Sequence, residues 1–511
     1  MAARINKILI ANRGEIAVRI IRACREMGIR SVAVFSDADA TAYHVRMADE
    51  AYRVGPAPSN ESYLVHDNII AAARKSGADA IHPGYGFLAE NAQFAQRCID
   101  EGLTFIGPEP KTIALLGDKI QARAAAQKAG LPIVPGVQID DLDSDGAYVR
   151  ANDIGFPVLV KAAAGGGGKG MRVVEAADKF AEAIERASSE AESAFGDSRI
   201  YVEKFLRRSR HIEFQILCDM HSNCVHLGER ECSIQRRHQK LIEESPSPVM
   251  TTELREQMGS AAVRIAQETG YVGAGTVEFM YDTESGSYYF LEVNTRLQVE
   301  HPVTELVTGL DLVQQQIRIA EGQKLDLTQT DVTITGHAIE CRICAEDSNE
   351  QFMPSTGRLN HYRMPAGPGV RVDSGVVIFS EISVYYDPLI AKLIVWGVDR
   401  ADAISRMRRA LDEYRVAGVC TTTGFHRTVM DNPAFLDGDL STQFIAEQYP
   451  DGEVVSIDES LAETAALAAA IESLSNEQKL AVAQSSRRAL DSLGWVQFHR
   501  KDALKRFEGN R

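Results

Sequence analysis

Hydrophobic and polar residues alternate with a period of two between residues 290 and 301. This pattern predicts a β-strand with one aliphatic face and one polar face. The polar positions are Glu292, Asn294, Arg296, Gln298 and Glu300. Two carboxylates and an amide supply the oxygen ligands that Mg²⁺ takes, and an arginine fork suits a planar anion. The solvated face of an antiparallel sheet would alternate in the same way, so the pattern alone leaves both interpretations open.

A further carboxylate, Glu278, bears on the choice between a metal site and a solvated face. Residues 275–281 and 287–294 are predicted to pair as adjacent strands around a polar turn. Glu278 on the first strand would then lie near Glu292 on the second. Two adjacent carboxylates repel each other unless a cation joins them, so the pair favours a metal site over a solvated face.

The start of the chain predicts an α/β domain. Apolar residues at strand and helix spacing indicate a strand–helix–strand unit over residues 7–35. Its turn, residues 12–15, lacks the GxGxxG pattern of dinucleotide sites, which disfavours a nicotinamide dehydrogenase. A loop rich in glycine and aromatic residues follows a short predicted strand at residues 82–88. Ligands bind at such strand ends in open α/β sheets, although a tight turn would use similar residues.

Glycines dominate the tip of a predicted hairpin whose strands cover residues 156–162 and 171–174. The tip, residues 163–170, is Ala-Ala-Gly-Gly-Gly-Gly-Lys-Gly. It is not a P-loop, because GxxxxGK[ST] followed by a helix is missing. Glycines let backbone amides approach phosphate oxygens, and Lys161 precedes the tip. A phosphate-binding lid is therefore favoured over a plain flexible loop. The cationic run at residues 235–240 is by itself typical of a solvated surface.

Length, charge and cysteine content limit the class of protein. A chain of 511 residues is too long for one hydrophobic core and predicts three or four domains. The net charge of −16 argues against a general nucleic-acid role. No segment has the roughly 20 apolar residues of a membrane span, and the first apolar run is too short for a signal peptide. A cytoplasmic protein is predicted. The eight cysteines are scattered, and the CxxC of Cys341 and Cys344 favours core thiols over zinc.

The composition changes again near residue 452. An alanine-rich helix is predicted over residues 461–474. From Arg487 onward, seven basic and three acidic residues give a local charge of +4, with Trp495 and Phe498 among them. Helices packed against the body and a partner-docking element are both compatible with this pattern, and docking is slightly favoured.

Five motifs together resemble the biotin carboxylase family of the ATP-grasp superfamily. Besides the glycine lid, they are Ala-Asn-Arg-Gly-Glu-Ile-Ala at 11–17, His-Pro-Gly-Tyr-Gly-Phe-Leu at 82–88, Arg-Glu-Cys-Ser-Ile-Gln-Arg-Arg-His-Gln-Lys at 230–240 and Glu-Val-Asn-Thr-Arg-Leu-Gln-Val-Glu-His at 292–301. The last two together are highly specific. The resemblance runs from about residue 4 to residue 448, and Ala164 stands where many relatives have another glycine.

The resemblance implies a fold of α/β and α+β domains. A Rossmann-like α/β domain is expected at residues 1–115, and an ATP-grasp domain at 116–334 with a mobile glycine-rich lid at about 135–205. A mixed α+β biotin carboxylase C-terminal domain is expected at 335–447. Beyond the resemblance, a helical extension is predicted at 448–511, and the hypothesis for its basic end is docking to a partner subunit.

The resemblance also implies roles for individual residues. ATP contacts are implied at Lys119, Lys161, Gly167, Gly168, Glu203, Lys204, Phe205, Leu206, His211, His238, Glu278 and Glu292. Ligands for Mg²⁺ or Mn²⁺ are implied at Glu278, Glu292 and Asn294. The implied bicarbonate site is Lys240, Arg296, Gln298 and Val299, and the implied biotin contacts are Tyr85, Gly86 and Arg342. The implied catalytic residues are Lys240, Arg296, Arg342 and Glu300, with Glu300 as the general base.

The implied activity is ATP- and bicarbonate-dependent carboxylation of biotin through carboxyphosphate. No Met-Lys-Met biotinyl motif occurs. The expected partners are therefore a separate biotin carboxyl carrier protein and a separate carboxyltransferase subunit, with a homodimer as the family's assembly. Two alternatives stay open. Another ATP-grasp ligase would share Lys161, Glu278 and Glu292 but would not need the run at 296–300. A noncatalytic regulatory subunit would keep the fold without needing competent residues at each position.

Overall fold

Short apolar runs in the first hundred residues form a parallel sheet. The computed structural model describes residues 4–139, 144–162, 172–195, 200–237, 239–450 and 467–471. The strands of this sheet are β1 (Lys7–Ile10), β2 (Arg30–Ser36), β3 (Glu50–Gly55), β4 (Ala80–His82) and β5 (Thr104–Phe105). The helices between them are α1 (Gly14–Glu26), α2 (Tyr43–Met47), α3 (His66–Ser76) and α4 (Ala92–Asp100). The strand order β3-β2-β1-β4-β5 is that of an open sheet and confirms the predicted α/β start.

A four-stranded antiparallel sheet follows, in the order β6-β9-β7-β8. Its strands are β6 (Gly136–Ile139), β7 (Val158–Ala162), β8 (Arg172–Val174) and β9 (Ile200–Lys204). The helices before and within it are α5 (Pro110–Gly117), α6 (Lys119–Lys128), α7 (Ser144–Ile154) and α8 (Phe180–Phe195). The predicted hairpin is present as β7 and β8, whereas its glycine tip at 163–170 lies outside the described residues.

The largest element is an antiparallel sheet of eight strands, in the order β14-β13-β10-β11-β12-β15-β22-β20. Its first five strands along the chain are β10 (Ser209–Cys218), β11 (Cys224–Arg236), β12 (Gln239–Ser245), β13 (Gly273–Asp282) and β14 (Tyr288–Asn294). The helices in this part are α9 (Thr252–Glu268), α10 (His301–Thr308) and α11 (Leu312–Ala320).

The same sheet continues into the last part of the body through pairing of β12 with β15. The remaining strands are β15 (His337–Cys344), β16 (Glu346–Asp347), β17 (Met353–Pro354), β18 (Gly357–Arg358), β19 (His361–Arg363), β20 (Val370–Ser374), β21 (Glu381–Ile382), β22 (Leu389–Gly397) and β23 (Arg415–Ala417). The remaining named helices are α12 (Arg400–Glu413), α13 (Thr423–Asp431), α14 (Pro433–Leu436) and α15 (Phe444–Gln448). One sheet thus spans both sides of the expected boundary at residue 334.

The predicted strand over residues 290–301 is wrong in its second half. β14 ends at Asn294, and residues 295–300 leave the sheet before α10 begins. The predicted aliphatic face is also interrupted, because Leu291 is exposed while Val293 is buried. The register explains this interruption. Phe279 pairs with Phe290, and the preceding residue, Glu278, pairs with Glu292. Leu291 lies between these two pairs and is the extra residue of a β-bulge.

The chain divides into two compact units, Met1–Val454 and Val455–Arg511. Of the second unit the structure describes only residues 467–471, which are helical and belong to the helix predicted at 461–474. The expected docking role of this extension stays a prediction. Among the described helices, none combines the length and the apolar character needed to cross a membrane.

The cysteines follow the sequence interpretation in part. Cys341 and Cys344 are buried free thiols, as predicted. Cys218 and Cys224, for which the sequence analysis made no prediction, form a disulfide because they face each other in register at the end of the β10–β11 hairpin.

Candidate active site

One face of the eight-stranded sheet carries a row of ionisable side chains. Glu292, Glu278 and Glu213 are register partners on β14, β13 and β10, and Arg230 on β11 continues the row. Register partners place their side chains on the same face of a sheet, so these four groups are neighbours. Glu278, Glu213 and Arg230 are buried, whereas Glu292 is accessible to solvent. The placement of Glu278 beside Glu292 agrees with the pairing predicted for the two strands.

Lys240, at the start of β12, connects this row to the loop after β14. Its Nζ donates to Glu213 Oε2 at 2.6 Å, to Glu278 Oε1 at 2.9 Å and to Glu300 Oε1 at 2.8 Å. An ammonium group has three hydrogens, and each has a carboxylate partner. The basic run at residues 235–240 is therefore more than a solvated surface, because its last residue reaches into a buried acidic cluster.

The charges in this cluster hold one another in the ionised form. Burial alone would raise the pKa of a carboxylate and lower that of an ammonium group. Lys240 and His211 outweigh burial at Glu278 and set its pKa well below the usual range. Lys240 and Arg342 outweigh burial at Glu300 and lower its pKa in the same way. Although burial opposes it, the surrounding carboxylates raise the pKa of Lys240 well above its ordinary value.

Arg230 and Glu213 support the cluster from beneath, and the sequence analysis did not identify them. Arg230 Nε donates to Glu213 Oε1 at 2.5 Å, and its other nitrogens donate to Gln215, Thr276 and Thr304. All polar atoms of this guanidinium are engaged, which fixes the orientation of Glu213 toward Lys240. A signal was available: Glu213 stands two residues after His211, so the two side chains lie on the same face if this segment is a strand.

The loop at residues 295–300 holds Arg296 from several sides. Its guanidinium donates to Glu90 Oε2 at 2.8 Å, to Gln298 Oε1 at 2.7 Å and to Asn294 Oδ1 at 3.1 Å. Gln298 in turn donates from Nε2 to Glu278 Oε1 at 3.1 Å. Glu90 comes from the N-terminal α/β part and was also missed by the sequence analysis. The arginine is thus oriented beside the acidic cluster before any ligand arrives.

Arg342 on β15 lies on the other side of Glu300. Its Nε donates to Glu243 Oε1 at 2.6 Å, and Nη2 donates to Glu300 Oε2 at 3.0 Å. Glu243 is therefore a further missed residue, which positions the guanidinium. Burial, followed by the charge of nearby Glu300, raises the pKa of Glu243 to about 7, although Arg342 opposes the shift. Glu300 consequently has one oxygen on Lys240 and the other on Arg342.

The expected biotin contacts lie on the loop after β4. The Tyr85 hydroxyl donates to Glu15 Oε1 at the start of α1, and Gly86 is exposed beside it. Asn12 donates from its side chain to the carbonyls of Pro83 and Tyr85, both at 2.7 Å. The N-terminal turn therefore fixes the shape of this loop.

The expected nucleotide contacts are placed only in part. Gly167, Gly168 and His238 lie outside the described residues, and for Lys161 only the backbone, in β7, is described. Lys119 is exposed at the first turn of α6, whose N-cap Asp118 accepts from two backbone amides.

The segment from Glu203 to Leu206 ends β9. The amides of Lys204 and Phe205 donate to the carbonyls of Pro135 and Pro157, and the Lys204 ammonium donates to Gly155 O at 2.9 Å. Within the described part of the chain the Leu206 amide meets no acceptor. This amide is therefore available to donate to a ligand.

The expected metal ligands include suitable oxygen donors. His211 Nε2 contacts Glu278 Oε2 at 2.8 Å, and Asn294 donates to Glu278 Oε1 at 2.9 Å. Among the described residues, ligand atoms of His211, Glu213 and Glu278 lie within 4.8 Å of one another. Partial loss of hydration and then the charge of Glu278 raise the pKa of Glu292. A hard divalent cation between Glu278 and the accessible Glu292 would relieve that repulsion, so the residues fit Mg²⁺.

The metal assignment predicts a specific defect for Glu292→Gln. Removing one carboxylate ligand should raise the Mg²⁺ concentration for half-maximal ADP release about 10- to 100-fold. The measurement is a Mg²⁺ titration at saturating nucleotide. Glu284→Gln is the matched control, because Glu284 lies exposed in the turn of the same hairpin. Equal Mg²⁺ requirements in both variants would contradict the assignment.

Known protein families match nearly the whole body of the chain. Residues 4–113 match the biotin carboxylase N-terminal domain, residues 118–328 the ATP-binding domain of the carbamoyl-phosphate synthase L chain, and residues 340–447 the biotin carboxylase C-terminal domain. The biotin carboxylase of Nostoc sp. is 57% identical over 445 residues, covering 87% of this chain and 99% of the relative. Biotin carboxylase 1 of Bacillus subtilis is 53% identical over 441 residues, covering 86% of this chain and 98% of the relative.

A solved structure has the same fold. The biotin carboxylase domain dimer of the Hydrogenobacter thermophilus 2-oxoglutarate carboxylase, in complex with MgADP, ADP and bicarbonate, is 47% identical. The match has a TM-score of 0.81 and covers 89% of this chain and all of that chain. With the shared sequence, the shared fold and the continuous charged face of the sheet, the chain belongs to the biotin carboxylase family.

Proposed function

We propose that this protein uses ATP and bicarbonate to carboxylate biotin carried on a separate protein. The observation that carries the proposal is the position of Lys240. It contacts Glu278, which lies beside Glu292 in the part of the row suited to metal and phosphate, and Glu300, which also contacts Arg342. One ammonium therefore adjoins both the phosphoryl donor side and the side where biotin would lie.

Bicarbonate would bind between Lys240 and Arg296. Arg296 is already oriented by Glu90, Gln298 and Asn294, so a planar anion meets a fixed fork. A bicarbonate oxygen attacks the γ-phosphorus of ATP, the bond to ADP breaks, and carboxyphosphate forms. Positioning of the two reactants supplies much of the rate in such a transfer.

Glu300 would receive the bicarbonate proton. It is ionised at neutral pH, but the contacts that lower its pKa also make it a weak base. An anion that binds Lys240 competes for the hydrogen bond from Nζ to Glu300 Oε1. Losing that contact raises the pKa of Glu300, so bicarbonate binding itself makes Glu300 a better acceptor.

Arg342 would stabilise the enolate-like oxygen of the biotin ureido ring. Carboxyphosphate loses CO₂ by cleavage of its carbon–oxygen bond and leaves phosphate, which can take the ureido proton. The ring nitrogen then attacks CO₂. Negative charge develops on the ureido oxygen during this step, and the partly exposed guanidinium of Arg342, held by Glu243, is a preorganised partner for it.

ATP and a divalent cation complete the site. Mg²⁺, or Mn²⁺ in its place, would be held by Glu278 and Glu292 with Asn294 alongside, and would neutralise charge on the phosphates when bound. The ATP contacts expected at Lys161, Gly167 and Gly168 belong to this proposal, as does closure of the glycine tip over the nucleotide.

The assembly is proposed from the relatives. The solved 2-oxoglutarate carboxylase neighbour is a dimer of biotin carboxylase domains, which supports a homodimer here. A carrier protein would bring biotin to Tyr85 and Arg342, and a carboxyltransferase would use the product. The division at residues 115, 334 and 447 is part of the same proposal.

The test is ADP release with Mg-ATP, with and without bicarbonate and free biotin. The proposal predicts turnover that requires bicarbonate and increases with biotin. Turnover with a different carboxylate and not with bicarbonate would identify another ATP-grasp ligase. Binding of ATP with no turnover under any of these conditions would identify a noncatalytic protein of the same fold.

A further inference from the structure

Lys392 is a buried cation that the proposed mechanism does not use. It lies on β22 in register with Arg342 on β15 and with Asp373 on β20, and it has no exposed surface. A lysine with no exposure is rare unless its charge is paired. Its partners therefore show what it does.

The ammonium joins two different parts of the site. Nζ donates to the carbonyl oxygen of Val299 at 2.8 Å and lies 3.2 Å from Glu15 Oε1. Glu15 also accepts the hydroxyl of Tyr85, whose ring centroid is 5.9 Å from the same Nζ. Lys392 thus connects the loop expected to bind bicarbonate with the loop expected to bind biotin.

The contact with Val299 also fixes the direction of backbone amides. In a trans peptide the N–H points away from the C=O, so holding the Val299 carbonyl directs the Glu300 N–H to the opposite side. His301 Nδ1 donates to the Gln298 carbonyl at 2.8 Å and directs the Val299 N–H in the same way. Among the described residues, neither of these two N–H groups meets an acceptor. Two free successive amides form a small anion-binding surface.

The nearby acidic residues differ in how much they depend on Lys392. Asp373 is 3.9 Å away and is already held by two hydrogen bonds from Arg371. Glu15 has no such arginine, and its Oε2 has no partner among the described residues. Glu340 also faces Lys392, and neither of its oxygens has a partner among the described residues, but burial raises its pKa well above the usual range. Glu15 is therefore the acid within hydrogen-bond distance of Lys392 that has no arginine of its own.

We infer that Lys392 is a positioning residue that sets the Val299–Glu300 amides for bicarbonate and links their placement to Tyr85. This inference rests on the proposed function. Without the ammonium, the carbonyl of Val299 is free to rotate and the Tyr85 loop loses its connection to the bicarbonate loop. ATP would then be cleaved with less carboxylation of biotin for each ADP released.

Lys392→Met tests the inference, because methionine keeps an apolar stem of similar length. It leaves Glu15 as an uncompensated buried charge, which can prevent folding. The double variant K392M/E15Q removes that charge, and the glutamine oxygen still accepts the Tyr85 hydroxyl. The double variant should regain thermal stability relative to K392M.

The kinetic result separates positioning from charge balance. Loss of one charge-assisted hydrogen bond should leave the KM for bicarbonate raised about 10-fold in the double variant, with the KM for Mg-ATP unchanged. The ratio of ADP to carboxybiotin should rise as well. E15Q alone keeps the Val299 contact and should keep the wild-type KM for bicarbonate.

A double variant with the wild-type bicarbonate KM would overturn the inference, because Lys392 would then serve only to neutralise Glu15. An equal rise in E15Q alone would also overturn it. Absence of bicarbonate-dependent turnover in the wild-type protein would instead refute the proposed function.

Discussion

Glu300→Gln should lower the rate of bicarbonate-dependent ADP release by about 10²- to 10⁴-fold, the range for loss of a general base. Glutamine keeps the shape of the side chain, and its one oxygen can still accept from either Lys240 or Arg342, but its NH₂ group can neither accept from the other cation nor take the bicarbonate proton. Glu300 does not directly contact any described residue that is expected to bind the nucleotide, and its connection to Glu278 runs through Lys240. The Kd for Mg-ATP should therefore change little. Steady-state kinetics and calorimetric titration of nucleotide measure the two quantities.

Glu244→Gln is the matched control for burial. Glu244 lies on β12, is as buried as Glu300, and pairs with His337 at 2.6 Å and Arg400 at 2.7 Å, away from the proposed site. This variant should lose thermal stability and keep its turnover number. If E300Q lost only stability while its turnover per folded molecule stayed at the wild-type level, Glu300 would have no role in proton transfer.

Lys240→Met should have the second large effect, on both activity and stability. Loss of a preorganised, positively charged hydrogen-bond donor should lower turnover about 10²- to 10³-fold. Leaving Glu213, Glu278 and Glu300 together without their cation should lower the free energy of unfolding by about 3–5 kcal/mol at neutral pH. Chemical denaturation at fixed pH measures the second quantity.

The stability loss in K240M should depend on pH in a definite direction. In the wild type the folded-state pKa values of Glu278 and Glu300 lie below their unfolded values. Their contribution is therefore present above the unfolded pKa of about 4.3 and is lost as the pH falls toward the folded pKa. Without Lys240, burial and mutual repulsion raise the pKa values of Glu278 and Glu300. Protonation of these carboxylates at lower pH then removes the repulsion and reduces the stability loss of the variant.

The difference in unfolding free energy between wild type and K240M should thus be largest near pH 7 and smaller near pH 4.5. Lys7→Met is a suitable control, because Lys7 pairs with Glu50 in a partly exposed position and should contribute at most about 1 kcal/mol. A K240M deficit that does not change with pH would contradict the electrostatic role of Lys240.

The sequence predicted the elements whose contacts join residues that are close together along the chain. The β13–β14 hairpin follows from alternation on both sides of a polar turn, and its pairing brought Glu278 opposite Glu292 as expected. The βαβ start follows from apolar spacing in the same way. The overall α/β and α+β class is confirmed by the parallel and antiparallel sheets.

Long-range and irregular features had no local signal. The β12–β15 pairing joins strands almost a hundred residues apart, and only this pairing brings Arg342 to Glu243 and Glu300. The sequence did not indicate the bulge at Leu291 or the departure of residues 295–300 from the sheet. Polar and apolar residues alternate in this loop, whose polar residues are mostly buried, in the same way as in a strand. Lys392 gave no signal, since a lysine in an apolar strand shows its role only through its partners.

The central claim is that ATP phosphorylates bicarbonate, and oxygen transfer tests it most directly. With ¹⁸O-labelled bicarbonate and unlabelled water, attack of a bicarbonate oxygen on the γ-phosphorus leaves that oxygen on the released phosphate. We expect one ¹⁸O atom per phosphate released in the bicarbonate-dependent reaction, measured by mass spectrometry on a time scale shorter than exchange of bicarbonate with water. Unlabelled phosphate would show that water is the nucleophile and would contradict the account.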